Sequence, residues 1–470
     1  MDRTCACLLT LALAGVGCAG EGADAGFGSP PPAAEQPTGP SGDGDGAERA
    51  IAEADIVQLD GDRLYALSEG GTLSVIDVGE LGQLLLLGQT ELPGVPFEMY
   101  LRGDTLLTLV DRAVTAQGSF AYGPQATDPN AGAMVLAVDV SEPERMDLGL
   151  PLSIQGAIAD SRVVGDVLYL ATYEDTACYG CDGEPKTLVT SFDVSDESDI
   201  REVDQLSFGS NAPDGYNLPW GSNWTRSIYV NQERLYIGGH AEIEPGQLYD
   251  NTSEPEGIID VIDVTDPTGR MREGARIEVA GAILSRWQLD ERDGILRVVS
   301  QRGAGRTGNG IGSPEVATFA VESTDTFTPL GNTSLVLPRQ EGLRAVRFDD
   351  DRAYAITYNQ TDPLFVIDLS EPELPVQRGE LHMPGFVFHM EPFGDRVLGI
   401  GLDRDDPQGS LNVSLFDVSN PDAPTMIERI GFGPNNLWED YQILEQVMAE
   451  DQDRIQKAFR VLSGGRIVAP

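Results

Sequence analysis

Histidine, basic residues and cysteine are all scarce in this chain, and each shortage narrows what the protein can be. The three histidines, His240, His382 and His389, lie scattered through 470 residues. They do not form the close-spaced ligand set of a zinc centre. Lysine and arginine number 31 against 76 aspartates and glutamates, a formal charge of -45. That field repels nucleic acid and anionic lipid headgroups and argues against both as partners. It suits cations, basic proteins or simply a solvated acidic surface. Of the five cysteines, Cys5, Cys7 and Cys18 stand at the N-terminus, which leaves Cys178-Tyr179-Gly180-Cys181 as the one internal pair. No second C-x-x-C accompanies it, so a four-thiolate zinc site is not available. A local disulfide that pins a loop in an oxidising compartment fits the pair. A redox-active C-x-x-C normally opens a helix in a βαβ setting. Here strand-like Val167-Leu168-Tyr169-Leu170 and Leu188-Val189-Thr190-Ser191-Phe192 flank it.

Long apolar runs are lacking as well. Leu8-Leu9-Thr10-Leu11-Ala12-Leu13-Ala14-Gly15-Val16 follows Arg3 and is too short for a stable bilayer anchor. It fits a cleavable export signal over residues 1–17. Small residues before Cys18 resemble the bacterial lipobox, with Gly15 standing where leucine is usual. Two outcomes stay open: acylation of Cys18 after cleavage, or ordinary cleavage that leaves Cys18 unmodified. Residues 18–50 are rich in Gly, Pro, Ala, Ser and Asp, cannot bury a core, and read as a flexible tether. A tether directly after a lipidatable cysteine is what a surface lipoprotein needs. The expected location is the bacterial cell envelope, lipid-anchored at the outer membrane or cell surface, or else secreted.

What the chain does have is a repeat. An apolar strand runs into aspartate at Val75-Ile76-Asp77-Val78, Ala137-Val138-Asp139-Val140, Ser191-Phe192-Asp193-Val194, Val261-Ile262-Asp263-Val264, Val366-Ile367-Asp368-Leu369 and Leu415-Phe416-Asp417-Val418, with a degenerate copy at Thr318-Phe319-Ala320-Val321. Self-similarity at this spacing marks a repeat architecture. The unit after residue 342 is the clearest. Arg344-Ala345-Val346-Arg347-Phe348, Ala353-Tyr354-Ala355-Ile356-Thr357-Tyr358, Leu364-Phe365-Val366-Ile367-Asp368-Leu369 and Val376-Gln377-Arg378-Gly379-Glu380-Leu381 read as four strands separated by Asp, Pro and Gly turns. Four short antiparallel strands per unit, repeated around an axis, build a β-propeller. The continuous apolar third strand is then the buried one. Its Asp, followed by Ser-Glu-Pro, Thr-Asp-Pro or Ser-Asn-Pro, is a turn-maker that accepts from backbone N–H groups just beyond it. The fold is thus all-β: seven complete units plus an incomplete eighth. That last unit opens with Lys457-Ala458-Phe459-Arg460-Val461-Leu462 and Arg466-Ile467-Val468-Ala469-Pro470. The propeller domain spans residues 51–470 and is expected to be C-terminally incomplete. Apolar spacing of three and four between Asn436 and Gln456 predicts a short amphipathic helix before the last unit.

Glu53-Ala54-Asp55-Ile56-Val57-Gln58-Leu59-Asp60-Gly61, Val346-Arg347-Phe348 with Asp351-Arg352-Ala353-Tyr354, and the run from Gln360-Thr361-Asp362-Pro363 to Ser370 resemble a family of secreted bacterial proteins with a C-terminal β-propeller domain. Pro384-Gly385-Phe386 and Lys457-Ala458-Phe459 add to the likeness. The resemblance covers about residues 50–470 and implies fold and export. It implies no activity, substrate or catalytic residue.

Chemistry is harder to find. No G-x-S-x-G elbow with a partner stands in the sequence, and the glycine-rich stretch 303–310 lacks the Lys-Ser/Thr pair of a phosphate loop. Asp403-Arg404-Asp405-Asp406-Pro407-Gln408-Gly409 clusters carboxylates in a way that suits Ca²⁺, with Asp403, Asp405 and Asp406 as ligands, or makes a plain acidic hairpin loop. Trp220 and Trp224 share one loop and could stack on a sugar, grip a peptide or fill a gap between blades. The tryptophan that recurs in quinone-binding enzyme propellers is absent, and no catalytic carboxylate pair stands out. The expected function is a non-catalytic envelope binding or scaffold module, monomeric, reaching the membrane only through its lipid. Its partner would be an envelope protein or polysaccharide, and no cofactor beyond the candidate calcium is implied. The alternative is an exported hydrolase or oxidoreductase working at the propeller channel.

Overall fold

A computed structural model describes residues 51–52, 56–68, 70–79, 83–111, 133–174, 186–209, 226–240, 257–283, 285–302, 312–358, 363–383, 385–403, 411–432, 460–462 and 466–468. After β1 (Ile51–Ala52) the strands fall into successive antiparallel blades. Blade 1 is β2 (Val57–Asp60), β3 (Arg63–Leu67), β4 (Thr72–Asp77) and β5 (Leu85–Glu91). Blade 2 is β6 (Val95–Arg102), β7 (Thr105–Asp111) and β8 (Ala133–Asp139), its outer edge split into β9 (Asp147–Leu148) and β10 (Leu152–Ile154). Blade 3 is β11 (Ala157–Val164), β12 (Val167–Glu174), β13 (Lys186–Asp193) and β14 (Arg201–Gly209). Blade 4 is β15 (Ile228–Val230), β16 (Arg234–His240), β17 (Gly257–Asp263) and β18 (Arg272–Val279). Blade 5 is β19 (Leu289–Arg292), β20 (Ile295–Ser300), β21 (Glu315–Ser323) and β22 (Thr326–Ser334). Blade 6 is β23 (Gly342–Asp349), β24 (Arg352–Tyr358), β25 (Leu364–Asp368) and β26 (Val376–Leu381). Blade 7 is β27 (Phe386–Phe393), β28 (Arg396–Leu402), β29 (Leu411–Asp417) and β30 (Thr425–Phe432). The stretch expected to open an eighth unit forms a separate two-stranded hairpin of β31 (Arg460–Leu462) and β32 (Arg466–Val468) beyond the seven blades. The helix expected between residues 436 and 456 lies outside the described residues.

The repeated aspartate does the work that its chemistry suggests. Asp139, Asp193, Asp263, Asp368 and Asp417 each accept the backbone N–H two residues on, at 2.9–3.0 Å. In the last four the Ser or Thr hydroxyl also donates, at 2.6 Å. These bonds stabilise the charged carboxylate and hold it below its ordinary range. A second bond recurs more strictly. The residue after the aspartate donates its N–H to the turn between the first two strands: Val78 to Asp62, Val140 to Asp104, Val194 to Asp166, Val264 to Glu233, Val321 to Gly294, Leu369 to Asp351 and Val418 to Asp395, all within 2.8–3.0 Å. The degenerate copy keeps this bond although Ala320 has no carboxylate to offer. The backbone clasp therefore defines the repeat, and the aspartate reinforces it.

Among the described residues, six apolar cores each join two consecutive blades, from blades 1 and 2 through blades 6 and 7. Leu188, Val189, Thr190, Ser191 and Phe192 in the third strand of blade 3 are buried on both faces. So are Ile258, Ile259, Val261 and Ile262 in blade 4 and Leu364–Ile367 in blade 6. That is why these strands read as nearly continuous apolar runs. Close approach of blade to blade needs glycine at one point. A Cβ on Gly379 would lie 2.5 Å from the Pro421 carbonyl of the next blade, and one on Gly88 would fall on the Pro143 carbonyl.

The innermost strand of each blade runs from the face bearing the long connections, the loop face, to the face bearing the aspartate turns. β1 hydrogen-bonds to the inner edge of β11, Ile51 opposite Val164 and Ala52 opposite Val163. The chain thus enters the ring at the channel, near the turn face.

Candidate functional site

The connections of most interest in the sequence leave from one face. Cys178 and Cys181 fall between β12 and β13, Trp220 and Trp224 between β14 and β15, and Asp405 and Asp406 between β28 and β29. All six lie outside the described residues, as does Cys18. The strand ends that bracket them are on the loop face. Asp403 is described, and it is buried with Arg429 donating to its Oδ2 at 3.2 Å. Among the described residues no cluster of His, Cys, Asp and Glu could hold a metal ion.

Polar side chains that the sequence reading did not single out meet along the axis. Among the described residues, four innermost strands carry a β-bulge near their loop-face start, between Pro96 and Glu98, Ile158 and Asp160, Leu343 and Ala345, and Val387 and His389. A bulge re-aims the side chains beside it. Glu98, Asp160 and His389 directly follow three of the bulges, and all three are buried. Around them a chain of contacts passes from blade to blade. In blade 1, Gln58 donates to the Met99 carbonyl at 2.9 Å and accepts from the Leu101 N–H at 3.1 Å. In blades 2 and 3 the Ser161 hydroxyl donates to Glu98 Oε1, so the Tyr100 hydroxyl, 2.7 Å away, donates to Ser161. Burial and the nearby Glu98 charge push the Tyr100 phenol well above its ordinary value.

Asp160 gathers donors from several elements. Its Oδ1 accepts from the Ser161 N–H at 2.9 Å, Arg162 at 3.3 Å and Arg286 at 3.2 Å, and its Oδ2 from the Ile228 N–H at 3.3 Å. Blades 3, 4 and 5 meet on this one carboxylate. Arg286 opens a 3-10 turn, Arg286–Gln288, capped by Ser285, whose hydroxyl accepts from the Trp287 N–H while its own N–H donates to Gln288. The Arg286 guanidinium lies 4.8 Å from the Trp287 ring centroid and that of Arg347, from blade 6, 3.7 Å. Arg347 Nη2 then donates to His389 Nδ1 of blade 7 at 3.0 Å. A guanidinium can only donate, so Nδ1 carries a lone pair and the proton sits on Nε2, 3.8 Å from Glu391. Burial, and next the Arg347 charge, hold the His389 pKa well below 6.5, so the ring is neutral.

The residues of this chain stand far apart in sequence, one or two per inner strand, and each alone looks like an ordinary polar strand residue. The signal that could have found them is the alignment of the seven inner strands on one another, which sets charged residues where burial predicts apolar ones. A separate depression on the turn face, lined by Asp351, Arg352, Asp368, Ser370 and Pro421, belongs to the turn bonds between blades 6 and 7.

Comparison with known proteins places the fold in context. An uncharacterized protein of Methanocaldococcus jannaschii is 34% identical over 168 residues, 34% of this chain and 24% of that protein. One of Archaeoglobus fulgidus is 34% identical over 152 residues, 31% of this chain and 21% of that protein. The matched stretch thus spans less than a quarter of the length of these two archaeal relatives. Among solved structures, BamB of Moraxella catarrhalis is similar with a TM-score of 0.43 and 11% identity, over 80% of this chain and 85% of that one. A periplasmic gluconolactonase of Pseudomonas aeruginosa gives 0.45 and 11%, over 82% and 97%. The family model described as a beta propeller domain matches residues 47–187 and 189–442, and the chain belongs to that family.

Proposed function

We propose that the chain is a non-catalytic binding or scaffold module of the cell envelope, exported and held by a lipid on Cys18. The observation that carries the reading is how the buried axial carboxylates are used. A general acid or base must reach a substrate and exchange a proton with it. Asp160 is instead tied to two arginines and two backbone N–H groups, and Glu98 accepts from Ser161. The neutral imidazole of His389 is held by Arg347. In these contacts the carboxylates and the imidazole orient their neighbours across the blades.

Export and anchoring are supported by the apolar segment before Cys18 and the Gly/Pro/Asp-rich residues that follow. These residues join the ring through β1, near the turn face. A lipid anchor on that side would turn the loop face, from which the connection between β14 and β15 leaves, away from the membrane and toward an envelope protein or polysaccharide. Calcium at the loop of Asp403, Asp405 and Asp406 would have to compete with Arg429 for Asp403.

The test is capture from envelope extracts with the intact exported chain, beside a turnover screen, with mass spectrometry of the mature N-terminus. A recovered partner, no turnover and a diacylated Cys18 are expected. Turnover without a partner would overturn the reading, and an unmodified Cys18 would remove the anchor. One observation favours an exported enzyme instead, the buried Tyr100–Ser161–Glu98 relay. Loss of turnover in Ser161→Ala would support that rival.

A further inference from the structure

We infer that Arg286, Trp287, Arg347 and His389 form a binding site for a small carboxylate anion at the propeller axis. The inference rests on the reading of the chain as a binding module and names the chemistry of one ligand. Three blades supply the site: Arg286 and Trp287 from blade 5, Arg347 from blade 6 and His389 from blade 7. Two guanidinium groups contact one indole, so they lie no farther apart than their two ring distances combined. Each contact with the ring is favourable. Two like charges brought together away from water repel. A carboxylate received at the edge of the ring would interact favourably with both.

Carboxylate is the favoured class because the guanidinium fork is planar and matches two oxygens at once. The cluster is also held in position before a ligand arrives. Asp160 fixes Arg286 at 3.2 Å, the Ser285 cap fixes the turn that carries Trp287, and the lone pair of His389 Nδ1 orients Arg347 at 3.0 Å. Such preorganisation lowers the ordering cost of binding. Arg344, half-buried on the bulge of β23, brings a further cation to the same inner strand.

The rest of the molecule sharpens the test. With a net charge of -45, the protein as a whole repels anions. Moderate salt should therefore speed association by screening that repulsion, the reverse of ordinary surface ion pairing.

The experiment is calorimetric titration of the full chain with citrate, galacturonate and inorganic sulfate, followed by thermal shift. Saturable binding of citrate or galacturonate is expected, at least tenfold tighter than sulfate, with a faster on-rate at 150 mM than at 20 mM salt. Arg347→Gln should weaken it at least tenfold. Arg347→Lys, which keeps the charge and loses the fork, should weaken it severalfold and guards against a folding defect in the first variant. Absence of saturable carboxylate binding, affinity equal to that of sulfate, or affinity unchanged in both variants would overturn the inference. A captured envelope partner without carboxylate binding would overturn the site and leave the binding-module reading standing. Chemical conversion of the bound carboxylate would do the opposite.

Discussion

Blade 6 meets blade 7 through a packed interface, while the far face of blade 7 and the near face of blade 1 meet no comparable core among the described residues. In blade 6, Leu364, Phe365, Val366 and Ile367 are all fully buried. In blade 7 the same strand alternates: Asn412, Ser414 and Phe416 are buried against blade 6, while Leu411, Val413 and Leu415 are half-exposed. Blade 1 shows the complement, with Leu73 and Val75 buried toward blade 2 and Thr72 and Ser74 half-exposed. The outer strands differ too. Gly379, in contact with the turn of blade 7, corresponds by register to Glu428, and Arg378 corresponds to Ile427, which is 46% exposed. The two ends of a repeat array thus carry the same backbone as its middle without the same neighbours. In such an array stability is a sum of unit and interface terms, so the interface sets what each position demands.

The largest effect that can break this comparison is a cavity. Phe365→Ala removes a fully buried ring between blades 5 and 6 and should cost about 3–5 kcal/mol in chemical denaturation. Val413→Ala, at a partly exposed position of blade 7, should cost about 1 kcal/mol or less. Equal losses would mean that the far face of blade 7 is as well packed as the interior. Next comes overpacking. Gly379→Ala puts a Cβ 2.5 Å from the Pro421 carbonyl and should cost about 1–3 kcal/mol. Glu428→Ala at the corresponding exposed site should change stability little.

These pairs also show what was legible in sequence. The seven strands ending at Asp or Ala320 were visible because burial on both faces gives the interior blades long, nearly all-apolar third strands, and because turn chemistry at Asp, Ser and Pro is local and recurs in every blade but the fifth. The aspartates could be assigned to turns for the same reason. The difference between Gly379 and Glu428 was not visible, because it depends on which blade lies alongside. Nor was the axial chain from Gln58 to His389. Its members are separated by as many as 126 residues, as Asp160 and Arg286 are, and its bulges depend on pairing between strands. Local periodicity carries no information on either.

A pH effect separates the axial chain from the turns. The unfolded chain protonates His389 near 6.5, while the folded chain does so only at much lower pH. Between those values unfolding takes up a proton, so stability falls as pH drops below about 6.5, by roughly 1 kcal/mol per pH unit. His389→Gln should flatten that slope in denaturation curves taken from pH 5 to 7. The turn aspartates act lower. Asp193, Asp263, Asp368 and Asp417 are held below their usual 3.8, so their contribution is complete above that value and is lost as pH falls through the depressed one. An unchanged slope in His389→Gln would show that some other group titrates there.

The smallest expected effect concerns the ion pairs that staple one blade to the next on the turn face. Arg378 donates to Asp368 of its own blade at 2.7 Å and to both oxygens of Asp422 in blade 7 at 2.8 and 2.9 Å. Arg272 repeats the arrangement between Asp263 and Asp325, at 3.1 and 2.8 Å. Both staples are open to water, where screening and side-chain entropy consume most of the attraction. Arg378→Gln should therefore destabilise less than Phe365→Ala or Gly379→Ala, and the loss should vanish in 1 M salt. Ile427→Gln, at the matching position of blade 7, has no staple to lose and should show no salt-dependent change. A loss in Arg378→Gln that persists in high salt would assign the staple to packing of the arginine stem against blade 7. The interface would then be held by the same apolar burial as the blade cores, with charge contributing only its direction.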